Sequence, residues 1–302
     1  MRAQPAIKGT GAAIITPFDQ AGRVDEFSLR RLVSHLADGG LDVLVVLGTT
    51  GESVTLTKDE KKQIQEIVLS ENAGRCRVIL GIGGNNTAEI AEILEHTDFT
   101  GIDAVLSVSP YYSKPTQEGI FQHYKVVADA SPRPVVLYNV PGRTGSNMTA
   151  ETTLRIADEC RNVCGIKEAS GNLEQIMQII NKRPAGFLML SGDDALTLPI
   201  IACGGEGVIS VVANAFPSLF SEMVNAAMDG NFTRARRFHY PLLEFTRLIF
   251  ADGNPAGVKA ALKVLGICEE FVRLPLTNVR PEIFGAIEKE VQVLRRLDLK
   301  TA

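Results

Sequence analysis

A lysine stands near the end of an apolar, strand-like run, in the segment Gly165–Gly171 (GIKEASG). Successive side chains of a strand point to opposite faces, so Lys167 and Glu168 should not face each other. If Lys167 points inward, it loses its nearest carboxylate, and burial of an unpaired ammonium favours the neutral amine. Because only the neutral amine attacks a carbonyl carbon, the segment predicts a Schiff-base lysine. Taken alone, it also fits a surface lysine in an ion pair.

A second polar segment, Gly48–Ser53 (GTTGES), follows another apolar run. Its glycines permit a tight turn, and its amides, together with the hydroxyls of Thr49 and Thr50, are suited to hold a carboxylate. The alternative is an ordinary turn before the next helix.

Two residues of Tyr138–Gly145 (YNVPGRTG) suit the same chemistry. The hydroxyl of Tyr138 donates and accepts, so beside a neutral lysine it can transfer protons. Arg143 offers two parallel donors to a carboxylate. A core tyrosine and a solvated arginine are the alternatives that this segment leaves open.

Short apolar runs alternate with amphipathic stretches along the first three quarters of the chain. The predicted strands are Ala12–Thr16, Val43–Leu47, Val78–Gly81, Ala104–Val108, Val135–Tyr138, Val163–Lys167, Phe187–Ser191 and Gly207–Val211. The predicted helices between and after them are Asp25–Asp38, Lys58–Asn72, Thr87–His96, Gln117–Ala130, Thr149–Glu159, Leu173–Asn181, Leu196–Ala202 and Pro217–Met228. Thr57 and Glu60 are predicted to form a capping box for the second of these helices, and Thr87 and Thr149 are predicted to cap the helices that they begin.

Eight strand–helix alternations favour an α/β fold, the (β/α)8 TIM barrel, whose site lies at the carboxyl ends of the strands. A doubly wound sheet is the alternative, but it usually carries a glycine fingerprint after a strand. The glycines of Gly9–Gly11 are predicted to precede the first strand instead. Beyond residue 230 only helices are predicted, at Asn231–Ala251, Asn254–Leu265 and Pro281–Leu297. We therefore expect a catalytic barrel over residues 1–230 and a C-terminal helical appendage packed on it over 231–302.

Composition limits the class of protein. The 302 residues are 45% hydrophobic with a formal net charge of −4, which argues against nucleic-acid and anionic-membrane partners. No apolar run is long enough to span a bilayer, and Met1–Lys8 lacks the apolar stretch of a signal peptide. Five cysteines without a CxxC pair and four scattered histidines argue against a disulfide framework or a metal site. We expect a cytoplasmic protein without a bound metal.

The order of the motifs resembles the dihydrodipicolinate synthase branch of the pyruvate-dependent class I aldolases, a family that includes N-acetylneuraminate lyase. The resemblance runs from about Gly9 to the last helices. It rests on GTTGES (Gly48–Ser53), SPYY (Ser109–Tyr112), YNVPGRTG (Tyr138–Gly145), GIKEASG (Gly165–Gly171), SGDD (Ser191–Asp194) and GVIS (Gly207–Ser210).

This resemblance implies roles for single residues. Lys167 matches the lysine that forms an imine with pyruvate, so no organic cofactor is expected. Tyr138 matches the general acid/base, and Thr49 and Tyr112 match the other members of a proton relay. The substrate-binding positions are Thr50 and the Ile209 backbone for the pyruvate carboxylate, Arg143 for the carboxylate of L-aspartate 4-semialdehyde, and Gly192.

In the family, the tyrosine at the position of Tyr112 reaches the site of a neighbouring subunit, which implies a tight dimer and commonly a homotetramer. Thr49, Thr50 and Arg143 favour the synthase over sibling aldolases, namely N-acetylneuraminate lyase and keto-deoxy sugar acid aldolases. Lysine-inhibited members tend to carry histidines where this chain has Lys58 and Lys61, so we expect weak or absent inhibition by L-lysine. The rest of that inhibitor pocket is matched by Ser53, Asn85, Glu89 and Tyr111.

Overall fold

Eight parallel strands, each followed by at least one helix, form the centre of the molecule in the computed structural model, which describes residues 7–298. The strands are β1 (Gly9–Ala13), β2 (Val43–Val46), β3 (Arg77–Gly81), β4 (Ala104–Val108), β5 (Val135–Asn139), β6 (Val163–Glu168), β7 (Leu188–Ser191) and β8 (Gly207–Ser210). Each pairs with the next, and β8 pairs with β1, so the sheet closes into a barrel. The predicted (β/α)8 class is confirmed.

The helices lie outside the barrel and after it. Those that follow the strands are α1 (Glu26–Asp38), α2 (Lys58–Asn72), α3 (Thr87–His96), α4 (Gln117–Ala130), α5 (Pro141–Thr144), α6 (Ala150–Glu159), α7 (Leu173–Lys182), α8 (Thr197–Ala202) and α9 (Pro217–Met228). The chain then continues in α10 (Phe232–Ala251), α11 (Ala256–Val264) and α12 (Pro281–Asp298). None of the described helices is long and apolar enough to span a bilayer.

Polar side chains begin several of these helices. Thr57 and Glu60 form the predicted capping box of α2, and Thr149 accepts from the Thr152 amide at the start of α6. The prediction that Thr87 caps α3 was wrong. Asn86 accepts from the Glu89 amide there, because an asparagine side chain reaches the third helical amide as well as a hydroxyl does.

The first strand lies three residues earlier than the sequence predicted, so Gly9–Gly11 belongs to the strand instead of preceding it. Gly9 pairs with Gly207 of β8, and Gly11 pairs with Val43 of β2. A Cβ on Gly207 would lie 2.3 Å from the Gly9 carbonyl oxygen, so only glycine permits this close approach of two backbones. The sequence did not predict a strand at Gly9–Gly11 because glycine has a low strand propensity.

Two apolar layers stabilise the barrel. One fills its interior and is formed by residues such as Val45, Leu106, Leu190 and Ile209. The other lies between the outer face of the strands and the surrounding helices. Because the interior is packed, polar side chains that point into it are confined to the ends of the strands.

The last three helices pack on one another and on the barrel, with α10 against α9 and α12, and α11 against α12. They contribute to the outer apolar layer through residues such as Phe245 and Leu262. Division of the chain into residues 1–230 and 231–302 stays a prediction. Its ends, together with most of Met1–Lys8, lie outside the described residues.

Candidate active site

A bulge in β6 turns the lysine inward. Val135 of β5 pairs with Val163 of β6, but the next residue, Val136, pairs with Gly165. Cys164 is therefore an extra residue in β6, and it shifts the alternation of faces beyond it. Tyr138 then pairs with Lys167, so both side chains point into the barrel.

Lys167 and Tyr138 form the polar centre of this end of the barrel. The Lys167 Nζ lies 4.2 Å from the centroid of the Tyr138 ring. The two residues are only 5% and 6% exposed, respectively. No ion pair among residues 7–298 includes Lys167, so the surface ion pair considered from the sequence is wrong. A buried amine beside a phenol is the arrangement that imine chemistry requires.

Glu168 points to the opposite face, as the alternation of side chains predicted. Its carboxylate is fully buried and accepts from Asn139 Nδ2 at 3.0 Å and 3.1 Å, from the Ser170 amide at 2.7 Å and from Gln175 Nε2 at 3.1 Å. Burial raises the pKa of Glu168, and these donors oppose that rise. Because Asn139 follows Tyr138, the network holds the ends of β5 and β6 together from outside.

Gly192 leaves space for the stem of the lysine. A Cβ at this position would lie 3.1 Å from both Cγ and Cε of Lys167 and 2.8 Å from the Ala169 Cβ. The Gly192 amide also donates to the Glu168 carbonyl at 2.8 Å. Any larger residue would therefore displace the Lys167 side chain.

A buried carboxyl group holds the end of β8 through hydrogen bonds. Asp194 accepts from the Ser210 hydroxyl and from the Val211 and Val212 amides, at 3.1 Å and 3.3 Å. Burial raises the pKa of Asp194 to about 6. Ile209, one residue before Ser210, is buried in the barrel interior, so Asp194 indirectly fixes the backbone beside it.

The loop after β2 carries Thr49 and Thr50, whose surroundings differ. Thr50 is 2% exposed, and its Oγ1 accepts from Asn254 Nδ2 at 3.0 Å. Thr49 is exposed, and the structure gives it no hydrogen bond to Tyr138. The relay implied by the resemblance is therefore not joined by contacts within the described residues of this chain.

A buried ion pair anchors the same loop. Glu52 accepts from Lys259 Nζ at 2.6 Å and from the Arg273 amide at 2.9 Å, and Lys259 also donates to the Phe271 carbonyl at 2.7 Å. Both charged side chains are almost completely inaccessible to solvent. Burial lowers the pKa of Lys259, and the carboxylate of Glu52 opposes this change.

Tyr112 and Arg143 lie at the surface. Tyr112 is 88% exposed and has a left-handed φ of 71°, which is uncommon for a tyrosine. Its amide donates to the Thr144 carbonyl at 3.2 Å, next to Arg143 in α5. The α5 turn follows the Tyr138 strand, so Arg143 lies at the same end of the barrel as the lysine.

Sequence reasoning found the residues that stand at strand ends, but it missed their supports. The structure brings Lys167, Tyr138 and Gly192 into one cluster. Within residues 7–298 it shows no hydrogen bond or ion pair between that cluster and the side chains of Thr49, Tyr112 and Arg143. The missed supports are Asn139, Gln175, Asp194, Asn254 and Lys259, of which only Asn139 and Asp194 lie in motifs that the sequence had marked.

This arrangement is suited to covalent chemistry on a carbonyl compound. The buried amine is placed to form an imine, the phenol can move protons, and the Thr50 hydroxyl can donate to a carboxylate. Within residues 7–298, no three side chains of His, Cys, Asp or Glu are grouped in a way that would hold a metal ion.

Comparisons with known proteins identify similar chains. The model of the dihydrodipicolinate synthetase family matches residues 6–294. The 4-hydroxy-tetrahydrodipicolinate synthase of Parabacteroides distasonis is 51% identical over 294 residues, which are 97% of this chain and 98% of the relative.

Solved structures agree with the sequence comparison. Dihydrodipicolinate synthase from Acinetobacter baumannii, in complex with pyruvate, is 36% identical with a TM-score of 0.92, covering 95% of this chain and 98% of that chain. The enzyme from Cyanidioschyzon merolae, with lysine bound, is 41% identical with a TM-score of 0.91, covering 95% of this chain and 97% of that chain.

Proposed function

The chain belongs to the dihydrodipicolinate synthetase family, and we propose that it condenses pyruvate with L-aspartate 4-semialdehyde. The resemblance in the motifs is thereby confirmed, and the named relatives favour the synthase over the sibling aldolases. The observation that carries the proposal is the inward Lys167, which lies beside Tyr138 and has no ion pair within residues 7–298.

Imine formation is the first step that we propose. The neutral Nζ of Lys167 attacks C2 of pyruvate, and the ketone oxygen leaves as water after it has gained two protons. Tyr138, whose ring centroid lies 4.2 Å from the Lys167 Nζ, would deliver a proton to this oxygen. The product is a protonated imine, which acts as an electron sink for the next step.

Carbon–carbon bond formation follows from the imine. Loss of a methyl proton leaves an electron pair that forms the enamine double bond, and the enamine carbon attacks the aldehyde of the semialdehyde. The aldehyde oxygen gains a proton. The amine of the semialdehyde then forms a bond to C2, the bond from C2 to Lys167 breaks, and the ring closes as the lysine is released.

Residues near Lys167 are proposed to bind the carboxylates of the two substrates. Thr50 and the Ile209 backbone would hold the pyruvate carboxylate, and Gly192 would keep the space beside the imine open. Arg143 would bind the carboxylate of the semialdehyde through paired donors. The burial of Thr50 and the exposure of Arg143 support a pyruvate carboxylate that is held deeper in the barrel than the carboxylate of the semialdehyde.

The proposed mechanism uses no metal or organic cofactor, because the imine with Lys167 supplies the electron sink. We also propose a cytoplasmic location. The five cysteines are all free, with four of them buried, which suits a reducing compartment.

The test of this proposal is reductive trapping. Borohydride with pyruvate should attach the substrate irreversibly to Lys167, whereas Lys167→Ala should neither be labelled nor turn over pyruvate with the semialdehyde. Labelling at another lysine would contradict the assignment.

Arg143→Ala should raise the KM for the semialdehyde and leave trapping of pyruvate unchanged, with Arg161→Ala as an exposed control. Unchanged semialdehyde kinetics in Arg143→Ala would refute the role of Arg143.

We propose that Tyr112 acts in the site of a second copy, within a tight dimer of a homotetramer. Its exposure and its left-handed backbone support this, since such a conformation is held only where surroundings require it. Tyr112→Phe and Lys167→Ala should each be inactive, and mixed dimers of the two should regain activity. Mixed dimers without activity would place Tyr112 in its own subunit's site or outside the reaction.

Inhibition by L-lysine is proposed to be weak or absent. Lys58 is exposed at the start of α2 and Lys61 is partly buried one turn later. Two cations there would repel the ammonium groups of the inhibitor. Lys58→His with Lys61→His should strengthen inhibition, and Lys62→His should not. Half-maximal inhibition of the unaltered protein by micromolar lysine would contradict the proposal.

A further inference from the structure

We infer that the C-terminal helical region takes part in pyruvate recognition, with Asn254 and Lys259 as positioning residues for the loop that binds the carboxylate. The inference rests on the proposed function and adds two residues to it. The contacts that carry it join positions 204 and 207 residues apart, between the β2 loop and the beginning of α11.

Asn254 orients the hydroxyl group of Thr50. The amide nitrogen of Asn254 donates to Thr50 Oγ1 at 3.0 Å, and both residues are buried. A hydroxyl group has one proton and two acceptor positions. Because Asn254 occupies an acceptor position, the hydroxyl proton of Thr50 must point elsewhere, and it is free to donate to a substrate carboxylate.

The other end of the Asn254 amide points to the same conclusion. Asn254 Oδ1 is buried and has no hydrogen-bond partner among residues 7–298. Buried amides that serve only packing are normally satisfied at both ends. Asn254 instead contacts the described protein through its donor, as expected of a group whose role is to fix the orientation of Thr50.

Lys259 sets the backbone of the same loop. Glu52 adopts a left-handed φ of 52°, and its carboxylate is held by Lys259 and by the Arg273 amide. Glu52 lies two residues after Thr50. The ion pair therefore holds the loop in a conformation that a non-glycine residue rarely adopts, while Asn254 fixes the hydroxyl group within it.

The test compares Asn254 with an asparagine that only stabilises a helix. Asn231 caps α10 by accepting from the Arg234 amide and is remote in sequence from the loop. Asn254→Ala should raise the KM for pyruvate, and the pyruvate concentration that half-saturates borohydride trapping, roughly tenfold. The kcat and the KM for the semialdehyde should change less than threefold. Asn231→Ala should lower thermal stability and leave all four of these values unchanged.

Two further variants test how Asn254 acts. Asn254→Asp keeps the shape but replaces the donor with a carboxylate, so it should weaken pyruvate binding more than Asn254→Ala does. It also provides the test if the alanine variant does not fold. In a Thr50→Val background, where the hydroxyl is absent, Asn254→Ala should add less than a twofold effect.

The outcomes separate the two proposals. If the unaltered protein is not labelled by pyruvate and borohydride, the proposed function fails. If it is labelled, and Asn254→Ala keeps the original half-saturating concentration, the inference fails while the function stands. Equal losses of pyruvate affinity in Asn254→Ala and Asn231→Ala, or full additivity with Thr50→Val, would also overturn the inference.

Discussion

The two polar regions at the carboxyl end of the barrel are held in different ways. Lys167 and Tyr138 lie on adjacent strands, and the sheet itself sets their distance through the pairing of β5 with β6. The Thr49–Glu52 loop lies beyond the end of β2 and is held by Asn254 and Lys259, from a part of the chain that follows the barrel. The proposed reacting groups thus depend on strand register, whereas the Thr49–Glu52 loop depends on long-range side-chain contacts.

Because the two regions are held in different ways, mutations in them should affect different properties of the protein. A change inside the barrel that preserves packing should alter reaction rates and leave stability nearly unchanged. A change in the contacts of the loop should alter stability or substrate affinity. The largest effects are expected where a reacting group is lost, and smaller ones where only its surroundings change.

Tyr138→Phe should lower kcat roughly 10²- to 10⁴-fold, since it removes the proposed proton-transfer group. The free energy of unfolding should hardly change, because the Tyr138 hydroxyl makes no hydrogen bond within residues 7–298. Steady-state kinetics and thermal unfolding measure both. Tyr240→Phe, at a 63% exposed tyrosine, is the control. A kcat within tenfold of the original would exclude Tyr138 as the principal acid/base.

Lys259→Met should lower the free energy of unfolding by about 3–5 kcal/mol, because it leaves the Glu52 carboxylate buried without its cation. Adding Glu52→Gln should restore most of this loss. Denaturant unfolding measures both variants. Lys62→Met, which breaks a solvent-exposed pair with Glu66, is the control and should have little effect. Equal losses in the two lysine variants would contradict the proposed anchor.

Asp194→Asn tests how the buried carboxyl group at the end of β8 makes stability depend on pH. The pKa of Asp194 is raised to about 6 in the folded protein, from an ordinary value near 3.8. The folded state therefore binds more protons than the unfolded state between these values, and this contribution to stability is lost as pH rises through about 6. Over that window the stability of the unaltered protein, relative to Asp194→Asn, should fall by about 1.4 kcal/mol per pH unit. If the difference in free energy of unfolding between the unaltered protein and Asp194→Asn did not change from pH 4 to 6, the raised pKa of Asp194 would be contradicted.

Gly192→Ala should have the smallest effect, a roughly tenfold loss of kcat/KM for pyruvate, since a new Cβ crowds the Lys167 stem. The rate of borohydride trapping should fall in parallel. Gly285→Ala is the matched control, because a Cβ there meets no atom within 4 Å. If both alanine variants react with pyruvate at the original rate, the space beside the lysine is not limiting.

Much of the architecture could be predicted because barrel strands are short apolar runs and the helices carry recognisable caps. The capping box of Thr57 and Glu60 marked the start of α2 correctly. The predicted position of β1 was wrong by three residues, because glycines that allow close approach of two backbones resemble a turn in the sequence. The short α5 turn was not predicted, because Tyr138–Gly145 was interpreted only as a polar loop.

For the site, residue types at strand ends were enough to select Lys167 and Tyr138. The side chains that hold them were beyond such reasoning. Gln175 contacts Glu168 from a helix, and Lys259 reaches Glu52 across most of the chain. No local spacing marks such partners.

Sequence alone determined the alternation of strands and helices, the order of the motifs and the chemical types available, because hydrophobic period and residue chemistry are local properties. The tertiary structure decided which face Lys167 occupies, since the extra residue Cys164 reverses the alternation only once β6 pairs with β5. It also decided which distant residues support the Thr49–Glu52 loop, because the contacts of Asn254 and Lys259 exist only after the last helices pack against the barrel.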